Sequence, residues 1–150
     1  MPGGAGVSAC VFPVNISTIL REPSDKLFVY GTLRPGSRNH YAERLAKKAH
    51  HIGPAIMSGR LYRVASYPGM VPPQSENDWV KGDLFEGVTP ELLAQLDEYE
   101  GVGYSREIAD AVLEDGTALA AYYYRYALPI GQLEWIRSGD WSNASHPHAT

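Results

Sequence analysis

The stretch SREIADAVLEDGTALAAYYYRYAL, Ser105 to Leu128, constrains the fold more than any other segment of the chain. Two β-type runs flank Glu114-Asp115-Gly116, and an Asp-Gly pair is a strong signal for a tight hairpin turn. A long antiparallel ribbon is therefore expected. In such a ribbon Tyr122, Tyr124 and Tyr126 share one face, and Tyr123 lies on the face of Arg125. They read as core, rim or pocket wall.

Further strand-like runs surround this ribbon. KLFVYG (Lys26 to Gly31) has the aromatic and β-branched content of a buried strand. IGPAIM and GRLYRVA, divided at Ser58-Gly59, read as a pair of strands, and YPGMVPP is turn-rich and cannot be helix. DWVKGDLFEGV reads as a strand interrupted at Gly82 by a bulge. The segment GQLEWIRSGDW closes the ordered region.

Two helices are expected. RNHYAERLAKKAHH has Asn39 as N-cap, with Lys47, Lys48 and His50 at the negative end of the dipole. Thr89 and Pro90 open the second, ELLAQLDEYE. Two short helices that do not alternate regularly with the strands favour a small α+β domain or half-closed barrel over a doubly wound sheet.

The chain has 150 residues, enough for one core without disulfides, and its one cysteine, Cys10, excludes an internal disulfide and a cysteine-rich zinc site. A reducing, cytoplasmic setting follows as the expectation. A net charge of -4 with no dense Lys/Arg block argues against nucleic-acid binding, and no run approaches a membrane span. Residues 1–25 read as a loose or disordered arm, 26–141 as the domain and 142–150 as a disordered tail.

Helix geometry singles out one carboxylate. With Leu92 at zero, Leu96 lies near 40°, Leu93 near 100° and Tyr99 near 340°, while Glu100 falls near 80°, inside the apolar stripe. Glu91 and Glu98 lie on the solvent side. An inward carboxylate must be paired, hydrogen-bonded or held with a raised pKa, which makes Glu100 a candidate general base. The alternative is a helix that ends at Tyr99 and leaves Glu100 in solvent.

The other nucleophile and ligand candidates are weaker. His50 and His51 are adjacent and cannot share a face, and no HExxH spacing exists. His40 stands close to the loop VYGTLRPG (Val29 to Gly36) and is kept as a supporting candidate. Ser37 and Ser66 lack the G-x-S-x-G setting. The loop matches neither phosphate-binding glycine motif. Gly31 permits a positive φ and Pro35-Gly36 a turn, or else the exposed amides of the loop form an anion-binding concavity.

Taken together, FVYGTLRPGSRNH (Phe28 to His40), YPG (Tyr67 to Gly69), LDEYEG (Leu96 to Gly101) with Tyr104 and Arg106 following, and SGDW (Ser138 to Trp141) resemble the gamma-glutamyl cyclotransferase-like superfamily. That superfamily includes plant avirulence-induced-gene proteins and gamma-glutamylamine cyclotransferases. The resemblance implies an α+β fold, a small mixed, mostly antiparallel β-barrel with flanking short helices. It implies cyclisation of a gamma-glutamyl group to 5-oxoproline with release of an amine or amino acid. Glu100 then takes the family's acid/base position. The backbone of Tyr30, Gly31, Thr32 and Leu33 holds the glutamyl group, and Tyr104 is a hydrogen-bonding or wall residue. Arg34 reads as a solvated or rim charge. No metal or cofactor is implied, the partner is a small gamma-glutamyl molecule, and the expected state is a monomer or weak homodimer. The competing reading is a non-catalytic module that binds a small carboxylate on the same fold.

Overall fold

The structure, a computed structural model, describes residues 25–144. The expected arm and tail lie outside them, except at Asp25 and residues 142–144. Among the described residues the elements run β1 (Leu27–Val29), α1 (His40–Lys48), β2 (His50–Ser58), β3 (Arg60–Arg63), β4 (Pro68–Val71), β5 (Trp79–Glu86), α2 (Pro90–Glu100), β6 (Tyr104–Leu113), β7 (Ala118–Tyr126), β8 (Glu134–Ile136) and α3 (Trp141–Ala144).

The strands pair in the order β1-β5-β2-β6-β7, and β7 returns to β1, so five strands close into a mixed barrel. The closing pair is parallel, with Leu27 opposite Tyr122. The expected hairpin is the β6-β7 ribbon, in register from Tyr104 opposite Tyr126 to Val112 opposite Ala118, with Gly116 at φ 90° in the turn. β4, β3 and β8 extend the sheet beyond β7.

Alternation along the strands sorts side chains into two layers. Phe28, Met57, Val80, Leu84 and Tyr123 pack together in one cluster, while Leu27, Val29 and Phe85 pack against Leu45 of α1 and Leu92, Leu93 and Leu96 of α2. The three residues of β1 are thus buried on both faces. That double burial explains their unbroken apolar character.

Both helix starts form as expected. Asn39 accepts from the Ala42 N–H at 2.8 Å, and Thr89 accepts from the Leu92 N–H at 3.2 Å. The first helix is shorter than expected, because Ala49 is already extended and His50 and His51 pair with Glu86 and Phe85 across β2-β5. Strand pairing here overrides local helical pattern. The two runs around Ser58-Gly59 are two strands, as expected, and they take different neighbours: β2 joins β5 and β6, and β3 joins β4 and β8.

β5 is continuous through Gly82, and the register shift lies on its partner, between His51 and Gly53. Gly82 serves close approach instead: a Cβ there would collide with the Val29 carbonyl and the Phe28 ring.

One edge of β7 is shared, first by β1 and then by β4, where Met70 stands opposite Arg125. Tyr30 fills the seam between them. Its hydroxyl donates to the Tyr124 carbonyl at 2.6 Å and accepts from the Met70 N–H at 3.1 Å. A side chain thereby bonds to the backbone of both β4 and β7 at the seam.

Candidate active site

Beside that seam opens a cavity of about 580 Å³. One wall is the end of β1 and the following loop, Val29 to Leu33. A second is the end of α2 and the start of β6, and a third is the segment from Val64 to Pro68. Tyr124 and Tyr126 of β7 lie between them. Tyr30, Gly31, Thr32, Leu33, Glu100 and Tyr104, the six residues expected at a site, all line this one space.

Glu100 is the last residue of α2, and Gly101 caps the helix at φ 80° with its N–H on the Asp97 carbonyl. The helix therefore runs one residue past Tyr99 and keeps Glu100 on the cavity side. Leu92, Leu93 and Leu96 are buried while Glu91 and Glu98 are exposed, in agreement with the helical geometry. The Glu100 carboxyl is half-buried and has no hydrogen-bond partner among the described residues. Burial pushes its pKa from 4.5 up to about 7.

Asp97, one turn earlier, is tethered. It accepts two bonds from Arg106, at 3.0 and 3.2 Å, and one from the Tyr124 hydroxyl at 2.7 Å. This tether locks the last turn of α2 onto β6 and β7 and so sets the direction of Glu100. Tyr104 donates its hydroxyl to the Pro68 carbonyl at 2.7 Å, holding the third wall. Burial first, and then the nearby Glu100, raise the phenol pKa of Tyr104, so it stays a donor.

The loop opposite has its own supports. The Arg34 N–H bonds the Gly31 carbonyl at 3.1 Å, which closes a turn. The N–H groups of Gly31, Thr32 and Leu33 have no acceptor among the described residues. Asn39 donates to the Thr32 carbonyl at 2.6 Å, and Thr32 and Tyr99 share a hydroxyl bond at 2.8 Å. Tyr99 in turn stacks on Tyr41 of α1, with ring centroids 4.6 Å apart.

Gly31 does not adopt a positive φ, contrary to expectation. It is required because a Cβ would sit 2.7 Å from the Pro68 ring. Arg34 is not a free rim charge either. Its Nε donates to buried Asp83 at 2.7 Å, and His51 Nε2 stands 2.9 Å from the other oxygen of that carboxylate. His40 stays outside the cavity and accepts from Arg44 at 2.7 Å.

The sequence reading missed the second bond of Asn39, the Asp97 tether and the Arg34-Asp83 pair. Asn39 carried a cap signal alone, and Asp97 and Asp83 had no local signal, because their partners lie elsewhere in the chain.

The family model described as Gamma-glutamyl cyclotransferase, AIG2-like, matches residues 27–143. A gamma-L-glutamyl-butirosin B gamma-glutamyl cyclotransferase from Niallia circulans is 35% identical over 135 residues, covering 83% of this chain and 80% of that one. The gamma-glutamylcyclotransferase family protein YtfP of Escherichia coli is 31% identical over 118 residues, covering 77% and 95%. The solution structure of ytfP from Escherichia coli superposes with a TM-score of 0.57 at 30% identity, over 79% of this chain and 97% of that one. YkqA from Bacillus subtilis, 24% identical, shares the fold with a TM-score of 0.67 over 83% of this chain and 42% of its own.

Proposed function

The chain belongs to the gamma-glutamyl cyclotransferase, AIG2-like family, and from that premise we propose that it cyclises the gamma-glutamyl group of an amine or amino acid conjugate to 5-oxoproline. One observation carries the reading: an unpartnered, half-buried carboxylate lines the same cavity as Gly31, Thr32 and Leu33, whose amides have no acceptor among the described residues. A pocket that only bound an anion would gain nothing from a negative group inside it.

The substrate's α-amino nitrogen attacks the γ-carbonyl carbon, a new C–N bond closes the lactam, and the old amide C–N bond breaks. The attacking ammonium loses two protons, and the leaving nitrogen gains two. Glu100 takes each proton and hands it on, so the reaction is balanced without a net proton. A carboxyl with a pKa near 7 suits this exchange, since it both accepts and donates at neutral pH. The amides of Gly31, Thr32 and Leu33 bind the glutamyl group's oxygen atoms, and the folded-back pose makes the attack intramolecular. Tyr104 holds the wall through Pro68.

The test is 5-oxoproline release from a panel of gamma-glutamyl amines, dipeptides and glutathione, measured beside Glu100→Gln. Product from at least one conjugate, lost in the variant, is expected. A well-folded protein that yields none overturns the enzymatic reading, and an equally active variant overturns the role of Glu100.

A further inference from the structure

Part of the cavity lining has a different character. Tyr67, Val102 and Leu128 line it, and they are 41%, 101% and 50% exposed. These three are among only five large apolar side chains exposed on the described surface, so most of that exposed apolar matter is gathered at one mouth. Such clustering marks a surface that a ligand covers.

Charge follows the same division. Among the described residues that line the cavity there is no Lys, Arg or His, and Glu100 is the only acid. Nearby arginines already face carboxylates: Arg34 meets Asp83, Arg106 meets Asp97 and Arg125 meets Glu107. Three of the tyrosine hydroxyl protons are also committed, with Tyr30 donating to the Tyr124 carbonyl, Tyr104 to the Pro68 carbonyl and Tyr124 to Asp97. The unbonded amides lie on the loop side, where the glutamyl group needs them.

Resting on the cyclisation reading, we propose that the amine released is apolar and carries no carboxylate, an alkyl- or arylalkylamine seated against Tyr67, Val102 and Leu128. An α-amino acid leaving group would bring its carboxylate one carbon from the scissile nitrogen. There it would be stripped of water, face no cation and stand near Glu100. Unpaired burial of an ionised carboxylate is costly, whereas an alkyl or aryl group at the same place gains from leaving water.

A matched pair tests this: gamma-glutamyl-phenethylamide and gamma-glutamyl-phenylalanine, which differ by one carboxylate. With the full-length chain, kcat/KM is expected to favour the amide by about tenfold or more, mainly through KM. Leu128→Arg, which sets a guanidinium at the exposed rim, is expected to narrow that gap by improving turnover of the acid. Equal turnover, or preference for the acid, overturns the leaving-group class and leaves cyclisation standing. Calorimetric binding of the same pair to Glu100→Gln separates the remaining cases. If neither compound gives 5-oxoproline but the amide binds at least tenfold tighter, cyclisation is overturned and the apolar subsite stands. Binding of neither, with no product, overturns both.

Discussion

Glu100 is a carboxyl held where the folded protein prefers it protonated, and two measurable consequences follow. Folding raises its pKa from 4.5 to about 7, so the folded state binds this proton more tightly than the unfolded chain. The group's contribution to stability is fully present below pH 4.5 and is lost as pH rises through about 7. Glu100→Gln is therefore expected to stabilise the protein above pH 7, by on the order of 1–2 kcal/mol after allowance for solvent screening, and to change little at pH 4. Thermal melts of both proteins at the two pH values check this. The same substitution is expected to cut kcat/KM by on the order of 10²–10⁴-fold, and wild-type kcat/KM should rise through pH 7 as the base ionises. At Tyr30 the chemistry is structural. Tyr30→Phe removes the hydroxyl that bonds the Tyr124 carbonyl and the Met70 N–H in the buried seam. A loss of about 1–3 kcal/mol in urea unfolding is expected.

At the scale of elements, the site is made by helix ends and one loop. Most of α2 was legible from sequence because cap, proline and apolar stripe are local signals, and the position of Glu100 on that stripe follows from helix geometry alone. What the stripe did not reveal is how the last turn is aimed. Asp97 reaches Arg106 on β6 and Tyr124 on β7, and helical periodicity says nothing about partners on another element. Asn39 joins the two kinds of information, because it caps α1 and also holds the Thr32 carbonyl. Two variants separate these roles. Asn39→Ala loses both bonds and is expected to cost about 1 kcal/mol of stability. Asn39→Asp keeps a good cap but cannot donate to Thr32. It should melt below wild type, because a carboxylate oxygen then faces the Thr32 carbonyl, while KM rises about fivefold, the worth of one neutral hydrogen bond. Equal KM values for Asn39→Asp and wild type would show that the Thr32 clamp does not shape the loop.

At the scale of the whole molecule, barrel closure brings the loop after β1 and the end of α2 to one cavity. Closure depends on β1 lying tightly against β5, and Gly82 allows the crossing by presenting no side chain to the Val29 carbonyl and the Phe28 ring. Gly82→Ala is expected to cost about 1–3 kcal/mol and to lower Tm by roughly 4–10 °C, measured by calorimetry. An unchanged Tm would mean that β1 can shift without loss. By itself the sequence determined the β6-β7 hairpin, both helix starts and the family motifs, and it put Glu100 on the apolar stripe while leaving open whether the helix reached that far. Each of these is written in residues close together in the chain, where turn chemistry, capping and periodicity act. Only the tertiary structure decided that β2 and β3 part company at Gly59, that Gly31 serves contact with Pro68 instead of a positive φ, and that Arg34 is bound to Asp83. It also decided that three exposed apolar side chains line the same cavity. Those outcomes depend on residues far apart in the chain, and the packing that joins them has no local signature.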